Sequence, residues 1–145
     1  MSKLVSEFEA PDASSGFLLW QVANRWQAAQ RKALEPFGLT HVQFVLLASL
    51  AWLQTADPVT QKQLAIHASV DIMMTSQVLR ALEDKGLVQR VVSPTDKRAI
   101  HVTILEKGER LADKAIVAVE KVDQEFFTRL EGEAMKFTNL LRRLL

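Results

Sequence analysis

The chain contains no cysteine, which excludes disulfides, thiolate metal sites and thiol-based redox sensing. It also lacks an excess of charge: 18 Lys and Arg face 17 Asp and Glu, for a formal net charge of +1. A nonspecific nucleic-acid coat needs a large basic surplus, so any nucleic-acid site here must come from local placement of charge. No apolar run approaches the ~18 residues that a membrane-spanning helix needs. The first ten residues carry Glu7 and Glu9 and no signal-peptide core. The three histidines (41, 67 and 101) have no metal-ligand spacing, and neither a Gly-rich phosphate loop nor a nucleophile motif occurs. These absences point away from an enzyme, from a bound metal or cofactor and from a membrane partner. They predict a cytoplasmic domain.

What the chain does have is apolar material in helical order. Of its 145 residues, 48% are hydrophobic, enough for one domain with a real core and too many for disorder. There is no internal repeat and no low-complexity segment. Residues 1–14 read as a flexible N-terminal arm and residues 15–145 as a single domain. Phe17, Leu19, Trp20, Val22, Ala23, Trp26, Ala29 and Ala33 recur at helical spacing. They predict a helix over about 15–35, stopped by Pro36 and Gly38. Its apolar band is wide, so it is expected to bury surface on two sides.

Thr40-His-Val-Gln43 and Thr60-Gln-Lys-Gln63 have the capping-box pattern, in which hydroxyl and side-chain amide satisfy opposite free N–H groups. The first opens a nearly uncharged helix through Leu53, which is expected at the centre. Residues 55–58 are expected to form a turn. The second box opens a short helix with Leu64, Ala65 and Ile66 inside. A tight link over His67–Val70 leads to Asp71–Gly86, the most informative stretch of the chain. Asp71 is suited to cap a helix and Gly86 to leave one. Thr75, Val78, Leu79 and Leu82 form its dry face, while Ser76, Gln77 and Arg80 fall on another. Ala65, Ser69 and Val78 sit at offsets that suit a helix-turn-helix. Val88–Val92 and Ile100–Ile104 are β-branched runs joined by Ser93–Arg98, where Pro94 and Asp96 favour a turn. A recognition helix followed by a hairpin wing results. The fold class is therefore mainly α with a small β-hairpin, the winged helix-turn-helix lying over about 40–104.

DNA binding needs side chains that reach base edges and cations that meet phosphates. Ser76, Gln77 and Arg80 fit the first need, with Gln77 matched to adenine and Arg80 to guanine or a phosphate. Thr60 and the helix it starts offer backbone N–H groups to a phosphate. Lys62, Arg90, Lys97 and Arg98 supply charge. Residues 58–101 carry a net +2 and the remainder −1. The competing reading is of solvated surface charges on a small α+β module. Ile72, Met73 and Met74 open the recognition helix. They either pack on the preceding helix or touch thymine methyls.

Leu82-Glu-Asp-Lys-Gly-Leu-Val-Gln-Arg90 with Pro94-Thr-Asp-Lys-Arg-Ala99 resembles the winged helix-turn-helix of the MarR family of transcriptional regulators. Gly38–Phe44 and the Leu64-Ala65 helix sit where that family has its matching segments, and the likeness covers essentially the whole chain. The resemblance implies a homodimer, joined by the first and last two helices, that binds a roughly palindromic site on double-stranded DNA. It implies that Arg98 enters the minor groove and that Asp96 orients it. Many members have Arg where Gln77 stands and Asp where Arg80 stands, so base preference does not carry over. The absence of cysteine rules out the family's peroxide-sensing thiol branch.

Leu111, Ala115, Ile116, Val119, Val122, Phe126 and Leu130 form a stripe along a helix over about 105–130, which Gly132 breaks before a last helix over 134–145. The stripe outruns what one small domain covers. Phe17, Trp20, Val119, Val122, Phe126, Phe137, Leu140, Leu141 and Leu144 are therefore candidates for a dimer interface, with intramolecular core as the other reading. The family often holds a small aromatic or phenolic anion between these helices and the winged domain. Trp20, Trp26, His41 and Trp52 are candidate walls of such a site, although Trp at helical spacing is more often core and a His beside an N-cap more often a capping residue. Two functions remain in view: a repressor that a small aromatic effector releases from DNA, and a winged-helix protein-interaction module without DNA affinity.

Overall fold

In the computed structural model, residues 4–54 and 57–145 are described. Positions 1–3 of the expected arm and 55–56 of the expected turn lie outside them. Among the described residues the chain forms helices α1 (Ser15–Leu34), α2 (His41–Leu53), α3 (Gln61–Ala68), α4 (Ile72–Asp84), α5 (Glu106–Phe127) and α6 (Ala134–Arg142). Three strands accompany them: β1 (Val59–Thr60), β2 (Val88–Val92) and β3 (Ile100–Ile104). No single helix among the described residues is long and apolar enough to cross a membrane.

The centre is α2, as its lack of charge predicts. Phe44, Leu46, Leu47 and Leu50 are buried, and the helix packs against α1, α3, α4, α5 and β3. Both capping boxes form as read: Thr40 and Thr60 accept from the N–H groups of Gln43 and Gln63, whose side chains accept in return. Leu34 of α1, Leu64 of α3, Leu79 and Leu82 of α4, Val102 of β3 and Ala115 of α5 close around this centre.

The sheet is larger than the expected hairpin. Strand order is β1-β3-β2, all antiparallel, with Val59 opposite Val102 and Val88 opposite Ile104. Two residues are too few to show period-2 alternation, so β1 has no signature in the sequence. Its pairing with β3 ties the start of α3 to the wing.

The long helix differs in detail from its reading. It closes at Phe127 and passes through a 3-10 turn over Thr128–Leu130, before Glu131 and Gly132 adopt positive φ (47° and 90°). Val119 does not belong to a free interface face. It is 6% exposed and part of the core, because the small residues of α5 (Gly108, Ala112, Ala115) let the helix lie close against its neighbours. Phe17, Trp20, Leu140, Leu141 and Leu144 are exposed in the single chain. Val122, Phe126 and Phe137 are partly covered, and Phe127 joins Phe126 to Phe137 through ring contacts at 5.3 and 5.7 Å.

Candidate nucleic-acid interface

The helix-turn-helix is held by backbone bonds at its bend. Ser69 takes a left-handed conformation (φ 53°, ψ 42°), an uncommon place for a residue with a side chain. The N–H of Val70 reaches back to the Ala65 carbonyl at 3.0 Å. Asp71 then caps α4, its Oδ2 accepting from the N–H groups of Met73 and Met74 at 3.0 and 3.1 Å. Thr75 sits on the buried face as read. Its hydroxyl is satisfied by donating to the Asp71 carbonyl at 2.9 Å. With Thr75, Leu79 and Leu82 buried, the opposite stripe of α4 presents Met73, Gln77 and Arg80 to solvent, and Ser76 lies half-covered beside them.

Ile72, Met73 and Met74 are 50%, 71% and 49% exposed. None of the three is buried in the core, and Met73 is the most open of them. The bend at Ser69 starts α4 with this turn already turned outward.

The wing closes on a residue that the sequence reading passed over. Ser93 is buried, and its Oγ accepts from the N–H groups of Thr95 and Asp96, both at 3.3 Å. Asp96 Oδ1 accepts from the backbone N–H of Arg98 at 3.0 Å, so the carboxylate fixes the Arg98 backbone and leaves the guanidinium outside. Thr60, Lys62, Ile72, Asp96 and Arg98 line one cleft of about 510 Å³ between α3, α4 and the wing. Ser76 and Arg80 line a second beside β2. Among the described residues, no ion pair engages Lys62, Arg80, Lys97 or Arg98. These cations remain free to meet phosphates.

Arg90 is the exception among the expected cations. Its side chain is 15% exposed. The Nε lies 3.4 Å from Glu83 Oε1, Nη1 donates to Gln61 Oε1 at 3.0 Å, and the backbone N–H donates to Glu83 Oε2 at 2.8 Å. One side chain thus ties α3, α4 and β2 together. The sequence places Arg90 on the polar face of a strand but does not show that its charge is used internally.

Only two of the four expected ligand walls come together. Trp20 and Trp52 are 67% and 82% exposed. Trp26 and His41 meet edge to face, with ring centroids 5.0 Å apart. Two residues not singled out in the sequence complete the cluster: Asp123 Oδ1 accepts from Trp26 Nε1 at 2.8 Å and from Gln30 Nε2 at 2.7 Å. Burial and the Arg31 charge hold the His41 pKa below its ordinary value of 6.5, with Asp123 pulling the other way. The cluster joins α1 and α5 to the first residue of α2, where the long helices meet the winged module.

This geometry has close counterparts among known proteins. The MarR family model matches residues 39–100, from just before α2 to the first residue of β3. The HTH-type transcriptional regulator YdcH of Bacillus subtilis is 45% identical over 140 residues, 96% of this chain and 92% of that protein. The HTH-type transcriptional repressor Rv2887 of Mycobacterium tuberculosis is 34% identical over 136 residues, covering 93% of this chain and 96% of that one. Its structure in complex with DNA superimposes with a TM-score of 0.71 over 92% of this chain and 98% of that chain, at 32% identity. CouR of Rhodococcus jostii RHA1, solved with p-coumaroyl-CoA, gives a TM-score of 0.79 at 29% identity, over 94% of this chain and 92% of that one. A likeness that runs through the dimerisation-type helices as well as the winged module, at these identities, makes the chain a member of the MarR family of transcriptional regulators.

Proposed function

We propose that the protein is a homodimeric repressor that binds a pseudo-palindromic operator and is released from it by a small aromatic ligand. The observation that carries the reading is the grouping of free cations and hydrogen-bonding side chains on one side of the winged module. Gln77, Arg80 and Ser76 face the major groove and read base edges. Lys62, Lys97 and the start of α3 at Thr60 meet phosphates. Arg98 reaches the flanking minor groove from a wing tip that Ser93 and Asp96 hold rigid. Arg90 is a brace and contributes no phosphate contact.

The exposed apolar residues of α1, of α6 and of the turn after it support the dimer, since a monomer would leave Phe17, Trp20, Leu140, Leu141 and Leu144 in water. Two recognition helices held about 34–36 Å apart fit successive major grooves. A ligand that binds one dimer geometry more tightly shifts the population away from that spacing. The Trp26–His41–Asp123 cluster, at the junction of long helices and winged module, is where such a ligand acts. Selection of bound duplexes from a random pool tests the reading. An enriched inverted repeat supports it, and a pool that stays random refutes it.

A further inference from the structure

The first turn of α4 presents a chemistry that the flanking residues do not share. Successive helical residues are about 100° apart, so Met73, Gln77 and Arg80 at i, i+4 and i+7 form one stripe, opposite the buried Thr75, Leu79 and Leu82. Met73 heads that stripe and is 71% exposed, with Ile72 beside it at 50%. The backbone at this end is not available to an anion. Asp71 Oδ2 already takes the N–H groups of Met73 and Met74, and its negative charge opposes a phosphate. What the turn offers outward is apolar side-chain surface. Cations surround it: Arg80 on the same helix, and Lys62 and Arg98 in the cleft that Ile72 also lines.

We propose that Met73, flanked by Ile72, reads the C5-methyl groups of thymines in the major groove and sets the operator preference of the recognition helix. This rests on the DNA-binding reading above. The cationic rim brings a phosphate backbone to this face, and the stripe that continues through Gln77 and Arg80 brings base edges to Met73. Methionine has no strong donor, and every major-groove feature except the thymine methyl calls for a hydrogen bond. The thymine methyl is the one feature that gains from burial against a thioether chain, whose flexibility lets it adapt to the groove.

The test uses the full-length protein and duplexes recovered from a random pool. Each is resynthesised with deoxyuridine for thymidine at single positions, which deletes one methyl and leaves every donor and acceptor in place. Wild-type protein is expected to lose roughly fourfold in affinity at one or two positions per half-site, the value for burying one methyl-sized group. Met73→Ala should bind thymine and uracil duplexes equally, while Met73→Leu keeps the discrimination. An unchanged salt slope and thermal midpoint show that the Met73→Ala variant is folded and keeps its phosphate contacts. The inference is overturned if uracil is neutral for the wild type, or if Met73→Ala still discriminates. It is also overturned if that variant changes self-association and leaves base preference untouched, which would make the face a protein-docking surface. A pool with no enriched duplex would instead defeat the DNA-binding reading, and this inference with it.

Discussion

Replacing Gly108 with alanine sets two effects of opposite sign against each other. Gly108 lies in the first turn of α5, where alanine is favoured over glycine by about 1 kcal/mol. Helix propensity alone therefore predicts a stabilised protein. The position is not open, however. A Cβ there would lie 2.2 Å from the Leu87 carbonyl oxygen and 2.9 Å from Ile104 Cγ1. The Leu87 carbonyl cannot yield freely, because it accepts from the Leu105 N–H at 2.9 Å while the Leu87 N–H is bonded to the Leu82 carbonyl at 3.0 Å. Relief needs a shift of about 1 Å in backbone that joins α4, the wing and α5. Overpacking of this kind costs roughly 1–3 kcal/mol, and loss of the Leu105 bond adds about 1 kcal/mol. After the propensity gain, a net destabilisation of about 1–3 kcal/mol remains. For a chain of this size that lowers the thermal midpoint by roughly 3–10 °C. Differential scanning calorimetry of the variant reads it. An unchanged or raised midpoint would refute the reasoning and show that α5 moves off Leu87 and Ile104 at no cost.

Three further outcomes follow from the same contacts. Arg90→Gln should lower stability by about 1 kcal/mol, since the pair it breaks is partly exposed. It should leave the salt dependence of DNA binding unchanged, where a phosphate contact would reduce the slope by about one per protomer; chemical denaturation and a salt titration separate the two. Asp71→Ala should cost about 1 kcal/mol in denaturant unfolding by freeing the N–H groups of Met73 and Met74, and a cost near zero would contradict the cap. The His41 pKa is held below 6.5 in the folded state, so the unfolded chain binds that proton more tightly. Stability should therefore be complete above the unfolded value and fall as pH drops through it toward the folded value. His41→Gln should flatten that fall in thermal midpoints measured across the range, and a His41-dependent rise on acidification would contradict the assignment.

Much of this architecture could be read before any coordinates. The capping boxes at Thr40 and Thr60, the cap at Asp71, the turn at Gly132 and the two β-branched runs are local signals, decided by neighbours within a turn or a pleat. What could not be read depends on partners far along the chain. Asp123 meets Trp26 across 97 positions and Gln30 across 93, and no spacing rule announces such a pair. Arg90 looks like any solvated strand cation until Gln61 and Glu83 are placed beside it. Val119 shares its periodicity with Val122 and Phe126, and only the close approach of α5 to the core separates them. Ile72, Met73 and Met74 are as apolar as core residues, and their exposure follows from the left-handed bend at Ser69. For the candidate site, the cations themselves were legible, while the split between those left without an ion pair and the one that braces the fold was not.

A salt titration of binding to a selected inverted-repeat duplex, with stoichiometry measured by sedimentation, tests the dimeric reading of DNA most directly. Two chains should bind per duplex, affinity should fall linearly with the logarithm of salt concentration, and Arg98→Ala should reduce that slope by about two per dimer without unfolding the protein. Binding that ignores salt, or one chain per inverted repeat, would contradict a dimeric reader of DNA.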